Sequence, residues 1–244
     1  MFRGIIDGFL SYFSVFGFIS KHRLYGYFFI SGIISLILGA VIFSMSYFLS
    51  DDLGALLFKL YPFERWSDYV LKILNVTAGG IIVLLGIIIY KYLLLICVSP
   101  FMGPLSAKVE SIITGESNES NFSLKQTSYE IIRGIRLSLR NIVRELSLTL
   151  ILIIFGLIPI FTVFIAPLIF FVQSYYAGFS NLDYYLERRA TLKQSIAYVK
   201  RNRGMAIGNG AGFMLLLLIP VLGLFLAPVM STVAATKSAI ASRD

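Results

Sequence analysis

Two apolar stretches in the second half of the chain carry one interrupted pattern. Leu157-Ile158-Pro159 is followed by Phe164 and by Ala166-Pro167. Leu218-Ile219-Pro220 is followed, at the same spacing, by Phe225 and by Ala227-Pro228. Each stretch is oily enough for a bilayer, yet has prolines at its middle. A proline inside a helix deletes a backbone hydrogen bond and crowds the preceding turn. Lipid offers no replacement partner, so such a break is stable only where protein or water covers it. Repeated breaks at membrane depth point to a transport or channel function.

A spanning helix takes about 20 mostly apolar residues. Hydropathy predicts four such regions, at 24–49, 70–98, 147–180 and 205–236. The first two contain no proline and are predicted to be full transmembrane helices. Residues 1–20 differ: Phe2, Ile5, Ile6, Phe9, Phe13 and Phe16 recur at helical spacing, with Arg3, Asp7, Ser11 and Ser14 largely elsewhere. That pattern predicts an amphipathic helix at the membrane surface. An acidic segment at 50–69 and a polar loop at 115–123 separate the apolar regions. A basic amphipathic helix is predicted at 124–146, and a second polar-rich helical region at 181–203.

Composition turns this pattern into a class. Of 244 residues, 57% are hydrophobic and 14% charged, with a mean hydropathy of +0.83. A soluble fold of this length could not cover so much apolar surface. The expectation is an all-α integral membrane protein with one membrane domain over 1–244. The net charge of +8 lies beside oily segments and accompanies no nucleic-acid-binding motif, so membrane topology explains it better than nucleic acid. The single cysteine, Cys97, and single histidine, His22, exclude a disulfide framework and a His/Cys metal site within the chain. No cofactor motif and no nucleophile–base pair appear, so an enzyme is not expected. The first 20 residues carry Asp7 and lack a cleavage pattern, which reads as mature sequence.

Basic residues also predict topology. Arg3, Lys21 and Arg23 precede the first span and put the N-terminus in the cytoplasm. The stretch 147–180 has Arg133, Arg136, Arg140 and Arg144 on one flank and Arg188, Arg189, Lys193, Lys200, Arg201 and Arg203 on the other. Basic flanks on both sides place both in the cytoplasm, which a single span cannot do. A re-entrant hairpin turning at Pro159–Pro167 satisfies the rule. From Ser147 to Pro159 a helix climbs only about 18 Å at 1.5 Å per residue, short of the ~30 Å core. The stretch 205–236 is flanked in the same way, by Arg203 before and Lys237 and Arg243 after. Two proline-kinked spans are the alternative.

Several residues carry candidate chemistry. Arg133, Arg136, Arg140 and Arg144 share one helical face within about 80°, opposite Ile131, Ile135, Leu139, Ile142 and Leu146. They are either a row of oxyanion-binding guanidiniums or a grip on anionic lipid. Lys21-His22-Arg23 is a topological anchor or an anion-capture corner. Lys91, inside an apolar run, is an intramembrane functional charge or a snorkelling one. Gly204, Gly208 and Gly212 suit helix packing, because no strand precedes them to make a phosphate loop.

Ser99-Pro100-Phe101-Met102-Gly103-Pro104-Leu105, followed by Glu110, predicts a sharp break and then a new helix bearing a carboxylate. With the basic helix and the two Ile-Pro/Ala-Pro stretches after it, this order of motifs resembles the CysZ sulfate permease family, part of a larger group named for an etoposide-induced protein. The resemblance covers most of the chain and is strongest from about 99 to 235. It implies two long transmembrane helices, two hemi-penetrating hairpins, an amphipathic start and a homo-oligomer, hexameric in the family. It implies sulfate uptake for cysteine synthesis in the bacterial inner membrane, with both termini cytoplasmic. Ser99, Pro100, Phe101 and Glu110 match its motif; Arg136, and with it Arg133, Arg140 and Arg144, match a basic helix lining its central region. The family's glycine followed by paired basic residues is replaced here by Lys21-His22-Arg23-Leu24-Tyr25-Gly26.

The expected function is therefore a permease or channel-like path for sulfate or a related oxyanion. Its candidate anion-binding residues are Lys21, Arg23, Glu110, Arg133, Arg136, Arg140 and Arg144. Pro100, Phe101, Pro159, Pro167, Pro220 and Pro228 shape the turns. The competing class is a structural membrane protein that binds lipid or a partner without transport.

Overall fold

The computed structural model describes residues 2–58, 90, 93–115, 124–156, 159–219 and 222–242. Every regular element among them is an α-helix. In chain order these are α1 (Phe2–Lys21), α2 (Gly26–Phe58), α3 (Leu93–Thr114), α4 (Leu124–Gly156), α5 (Pro159–Leu186), α6 (Leu192–Arg201), α7 (Arg203–Leu217) and α8 (Leu222–Ala241). Four helices among the described residues are long and apolar enough to cross a membrane: Phe2–Lys21, Gly26–Leu49, Leu93–Thr114 and Leu222–Ala241. The chain is an all-α, multi-pass membrane protein. The expected second span over 70–89, most of the acidic segment, Lys91, the polar loop over 116–123 and Pro220 lie outside the described residues.

The chain divides into two compact units, one of residues 1–32 with 95–244 and one of residues 33–94. In the second, α2 turns Ile33, Leu36, Ile37, Val41 and Phe43 outward, a surface suited to lipid. Tyr90 Oη donates to Ser35 O at 3.3 Å within that unit.

The first unit is built around α7. Its Gly204-Met205-Ala206-Ile207-Gly208-Asn209-Gly210-Ala211-Gly212 run lets neighbouring backbones come close on two faces. Along one face α1 runs parallel to α7, with Gly4 against Gly204 and Met205, and Gly8 against Gly208. A Cβ at Gly8 would lie 2.8 Å from Met205 O, and one at Gly208 would overlap Ile5 O. On the other face α5 runs antiparallel, and a Cβ at Gly210 would overlap Ser174 O. Small residues at such crossings are the membrane solution to packing without a hydrophobic driving force.

The two interrupted stretches each fold as antiparallel helix pairs. In the α4–α5 pair Arg133 meets Asp183, Arg140 lies over Phe179, and Gly156 faces Ile165. In the α7–α8 pair Asn209 Nδ2 donates to Ser231 O at 3.0 Å, and Gly223 abuts Leu216. Helix covers more of each stretch than the sequence suggests. α4 ends at Gly156 and α5 starts at Pro159, α7 ends at Leu217 and α8 starts at Leu222, and Pro167 and Pro228 lie inside α5 and α8. Pro159 starts α5, where a missing N–H costs nothing and φ is already set.

At two of the prolines inside helices another donor reaches the carbonyl that is freed. Pro228 removes the helical partner of Leu224 O, and Ser31 Oγ donates to that oxygen at 3.2 Å. The break expected at Pro100 is also absent, since α3 runs through Pro100 and Pro104. Pro100 frees Ile96 O, and Ser99 Oγ donates to it at 2.8 Å.

Two helices turn apolar faces outward. α1 buries Gly8, Tyr12, Val15 and Ile19 and exposes Phe2, Ile6, Leu10, Phe13 and Phe16. α4 buries Arg133, Leu137, Asn141 and Glu145 and exposes Ile132, Ile135, Leu139, Val143 and Leu146. That polarity is the reverse of a water-facing amphipathic helix.

Candidate functional site

Lys21-His22-Arg23 closes α1. Leu24 N donates to Ile19 O at 3.1 Å, and Arg23 N to Ser20 O at 3.4 Å. Arg23 has φ of 53°, and Leu24 and Ile19 are both buried. This is a Schellman cap with its hydrophobic contact, and Arg23 holds the left-handed position where glycine is usual. Lys21 and Arg23 are exposed, and the His22 ring lies 4.5 Å from that of Phe18.

Glu110 on α3 is 1% exposed and pairs with two arginines of the turn after α5. Arg188 reaches it at 3.2 Å and also donates to Gly103 O, Tyr184 O and Ser106 Oγ. Arg189 completes the pairing and lies over the Tyr185 ring. Phe101, on the same helix, is 39% exposed.

Arg133 is likewise internal. Its guanidinium grips Asp183 with two hydrogen bonds, at 2.8 and 3.0 Å, and donates to Ser195 Oγ at 2.7 Å. Burial pushes the Asp183 carboxyl up from the usual range, and Arg133 offsets only part of that push. The cluster joins α4, α5 and α6. A bidentate guanidinium–carboxylate pair fixes geometry as well as charge.

The remaining arginines of the stripe are differently placed. Arg136 and Arg144 are exposed and Arg140 is half-buried. None of the three forms an ion pair among the described residues. Arg140 donates to Asn141 Oδ1 at 3.0 Å, which leaves Asn141 Nδ2 buried without a hydrogen-bond partner. The charges of Arg140, Arg144 and Arg203 all act on Tyr175 of α5. Burial first, and Arg144 second, disfavour the charged form of Arg140. The buried carboxylate Glu145 acts on the adjoining Tyr176, as do Arg144 and Arg140.

Chemically, this cluster at the base of the α4–α5 hairpin presents guanidinium forks and an amide donor that match a tetrahedral oxyanion. The structure thus separates the predicted set. Arg140 and Arg144 cluster, Arg136 points to the surface, Glu110 and Arg133 sit in separate buried ion pairs, and Lys21 and Arg23 belong to a helix cap. No group of three His, Cys, Asp or Glu suited to a metal occurs among the described residues.

Sequence reasoning missed Asp183, Ser195, Asn141, Tyr175 and the roles of Arg188 and Arg203. Asp183 had a signal, because it is the lone acid between residues 147 and 186, and an isolated carboxylate beside an apolar stretch calls for a partner. Asn141 and Tyr175 carried none, since only the pairing of α4 with α5 brings them near the arginines.

Comparison with known proteins fits this architecture. The family described as Sulfate transporter CysZ/Etoposide-induced protein 2.4 matches residues 11–228. A sulfate transporter CysZ of Pseudomonas fluorescens is 27% identical over 134 residues, 54% of this chain and 54% of the relative. Proteins of the same name from Pseudomonas syringae pv. tomato and Pseudomonas aeruginosa are 25% identical over 187 residues and 24% over 183 residues. These matches cover 72% and 70% of this chain, and 74% of each relative. The chain therefore spans about half the length of the first relative and three quarters of the others. With the match running from the middle of α1 to Pro228 in α8, the chain belongs to the sulfate transporter CysZ/etoposide-induced protein 2.4 family.

Proposed function

We propose that the chain is a permease that passes a small oxyanion, sulfate foremost, across the bacterial inner membrane for cysteine synthesis. The observation that carries this reading is the Arg140–Asn141–Arg144 cluster: guanidiniums without ion-pair partners among the described residues, around a buried amide donor that lacks one. A passing oxyanion supplies the missing acceptors. Arg203 adds to the local field, and the exposed Arg136, Lys21 and Arg23 act as outer charges that concentrate the anion. Glu110 and Arg133, each in a buried ion pair, brace the helices around the path.

In this reading both helix pairs are re-entrant, entering and leaving from the cytoplasmic side, and both termini are cytoplasmic. The chain works as a homo-oligomer, hexameric as in the family it resembles, and passage is passive. The test is uptake of labelled sulfate by proteoliposomes. Uptake above that of empty liposomes, inhibited by an excess of another tetrahedral dianion such as selenate, is the expected result. No uptake above empty liposomes overturns it. The outward apolar faces of α1 and α4 also fit a second reading, a lipid- or partner-binding membrane protein without transport, which predicts that null result.

A further inference from the structure

A cavity of about 450 Å³ lies between the first half of α1, the start of α7 and the end of α8. Gly4 and Gly8 form one wall without side chains, and Met205 closes part of another. Its polar lining holds one side chain of each charge, Asp7 and Lys237, with the hydroxyls of Ser11, Ser238 and Ser242. Its volume falls in the range of small-ligand sites, about 300–1,000 Å³.

The two charges are not paired with each other. Lys237 Nζ donates to Ser14 Oγ at 2.8 Å and lies 5.3 Å over the Phe18 ring. An ammonium has three donors, so two remain for a ligand. Asp7 is exposed and forms no hydrogen bond or ion pair among the described residues. Ser11 Oγ donates to Gly8 O, which leaves its oxygen able to accept, while Ser242 Oγ donates to Ala239 O and is already engaged by Tyr198 Oη at 2.6 Å.

A site lined by one cation, one carboxylate and hydroxyls suits a zwitterion with a phosphate and a primary ammonium. The helix that supplies Asp7 also carries Phe2 and Phe13, 80% and 77% exposed, on its outward face. A helix of that kind lies at the headgroup level of a bilayer, so the cavity beside it meets headgroups before free solutes.

We propose that this cavity binds the headgroup of a phosphoethanolamine lipid from the surrounding bilayer, its phosphate on Lys237 and its ammonium on Asp7. A purely anionic headgroup meets the Asp7 carboxylate. A choline headgroup has no N–H to donate to Asp7. The site is separate from the arginine cluster, and its test reads binding rather than transport.

The experiment is native mass spectrometry, or a lipid titration of the full chain in detergent, with phosphatidylethanolamine, phosphatidylcholine and phosphatidylglycerol of matched acyl chains. Phosphatidylethanolamine should be retained about ten-fold or more over the other two. D7N should remove that preference, and K237Q should weaken binding of all three. Retention of D7N at the wild-type unfolding temperature confirms that the change is local, as expected for an exposed side chain without partners. Equal retention of the three lipids overturns the proposal, as does an unchanged preference in D7N. Binding of soluble phosphoethanolamine as tightly as the lipid would also overturn it, since the cavity would then serve a free solute.

Discussion

The hydroxyl of Ser31 donates to the carbonyl of Leu224 at 3.2 Å, and that carbonyl is the one Pro228 leaves without a helical partner. Ser31 is fully buried. Removing the hydroxyl takes one hydrogen bond from that carbonyl, at a cost of about 0.5–1.5 kcal/mol. S31A should therefore lower thermal stability in detergent. In a P228A background the helix supplies its own N–H, and S31A should cost clearly less. Equal costs in the two backgrounds would show that Ser31 does not act through the freed carbonyl.

The glycines of α7 should divide from those on open helix surfaces. A Cβ at Gly210 would overlap the Ser174 carbonyl, a backbone atom with no rotamer to move. G210A should cost about 3 kcal/mol, the upper end for overpacking, or more. Gly17 on α1 has nothing within 4 Å of a Cβ, so G17A should raise stability by about 0.5–1 kcal/mol through helix propensity. Unfolding temperatures of the two variants check both signs.

The Arg133–Asp183 pair is expected to be structural. D183N leaves a buried guanidinium without its countercharge and should destabilise by about 3–5 kcal/mol. Removing both charges, as in R133M/D183L, should recover much of that loss, because a well-packed apolar pair often matches a buried ion pair. A double variant as unstable as the sum of the singles would show that the two residues act independently.

Helix content was legible because the apolar period is a local signal. Proline at 159 marks the start of α5, as its fixed φ dictates. Helix runs through Pro100 and Pro167, and at Pro100 the sequence does not say that the neighbouring Ser99 hydroxyl will meet the freed carbonyl. The glycine run at 204–212 could be read as a packing surface, but not as two surfaces for α1 and α5. The arginine stripe was found from its spacing. Its division into a buried brace at Arg133 and open guanidiniums at Arg140 and Arg144 depended on Asp183, 50 residues away.

The cap at Arg23 offers a further check. A left-handed conformation costs a non-glycine residue about 1–2 kcal/mol. R23G should raise stability by about 1 kcal/mol, while a role of Arg23 as an outer charge predicts slower sulfate entry at low substrate concentration. Loss of stability in R23G would contradict the Schellman assignment.

The most direct measurement is sulfate flux through R140Q/R144Q in proteoliposomes, compared with wild type at equal protein density and with helix content confirmed by circular dichroism. Both substitutions keep a polar amide while removing the charge and the guanidinium fork. The account predicts that flux falls about ten-fold or more, the equivalent of a charged hydrogen bond worth ~1.5 kcal/mol. A folded R140Q/R144Q protein with wild-type flux would contradict it.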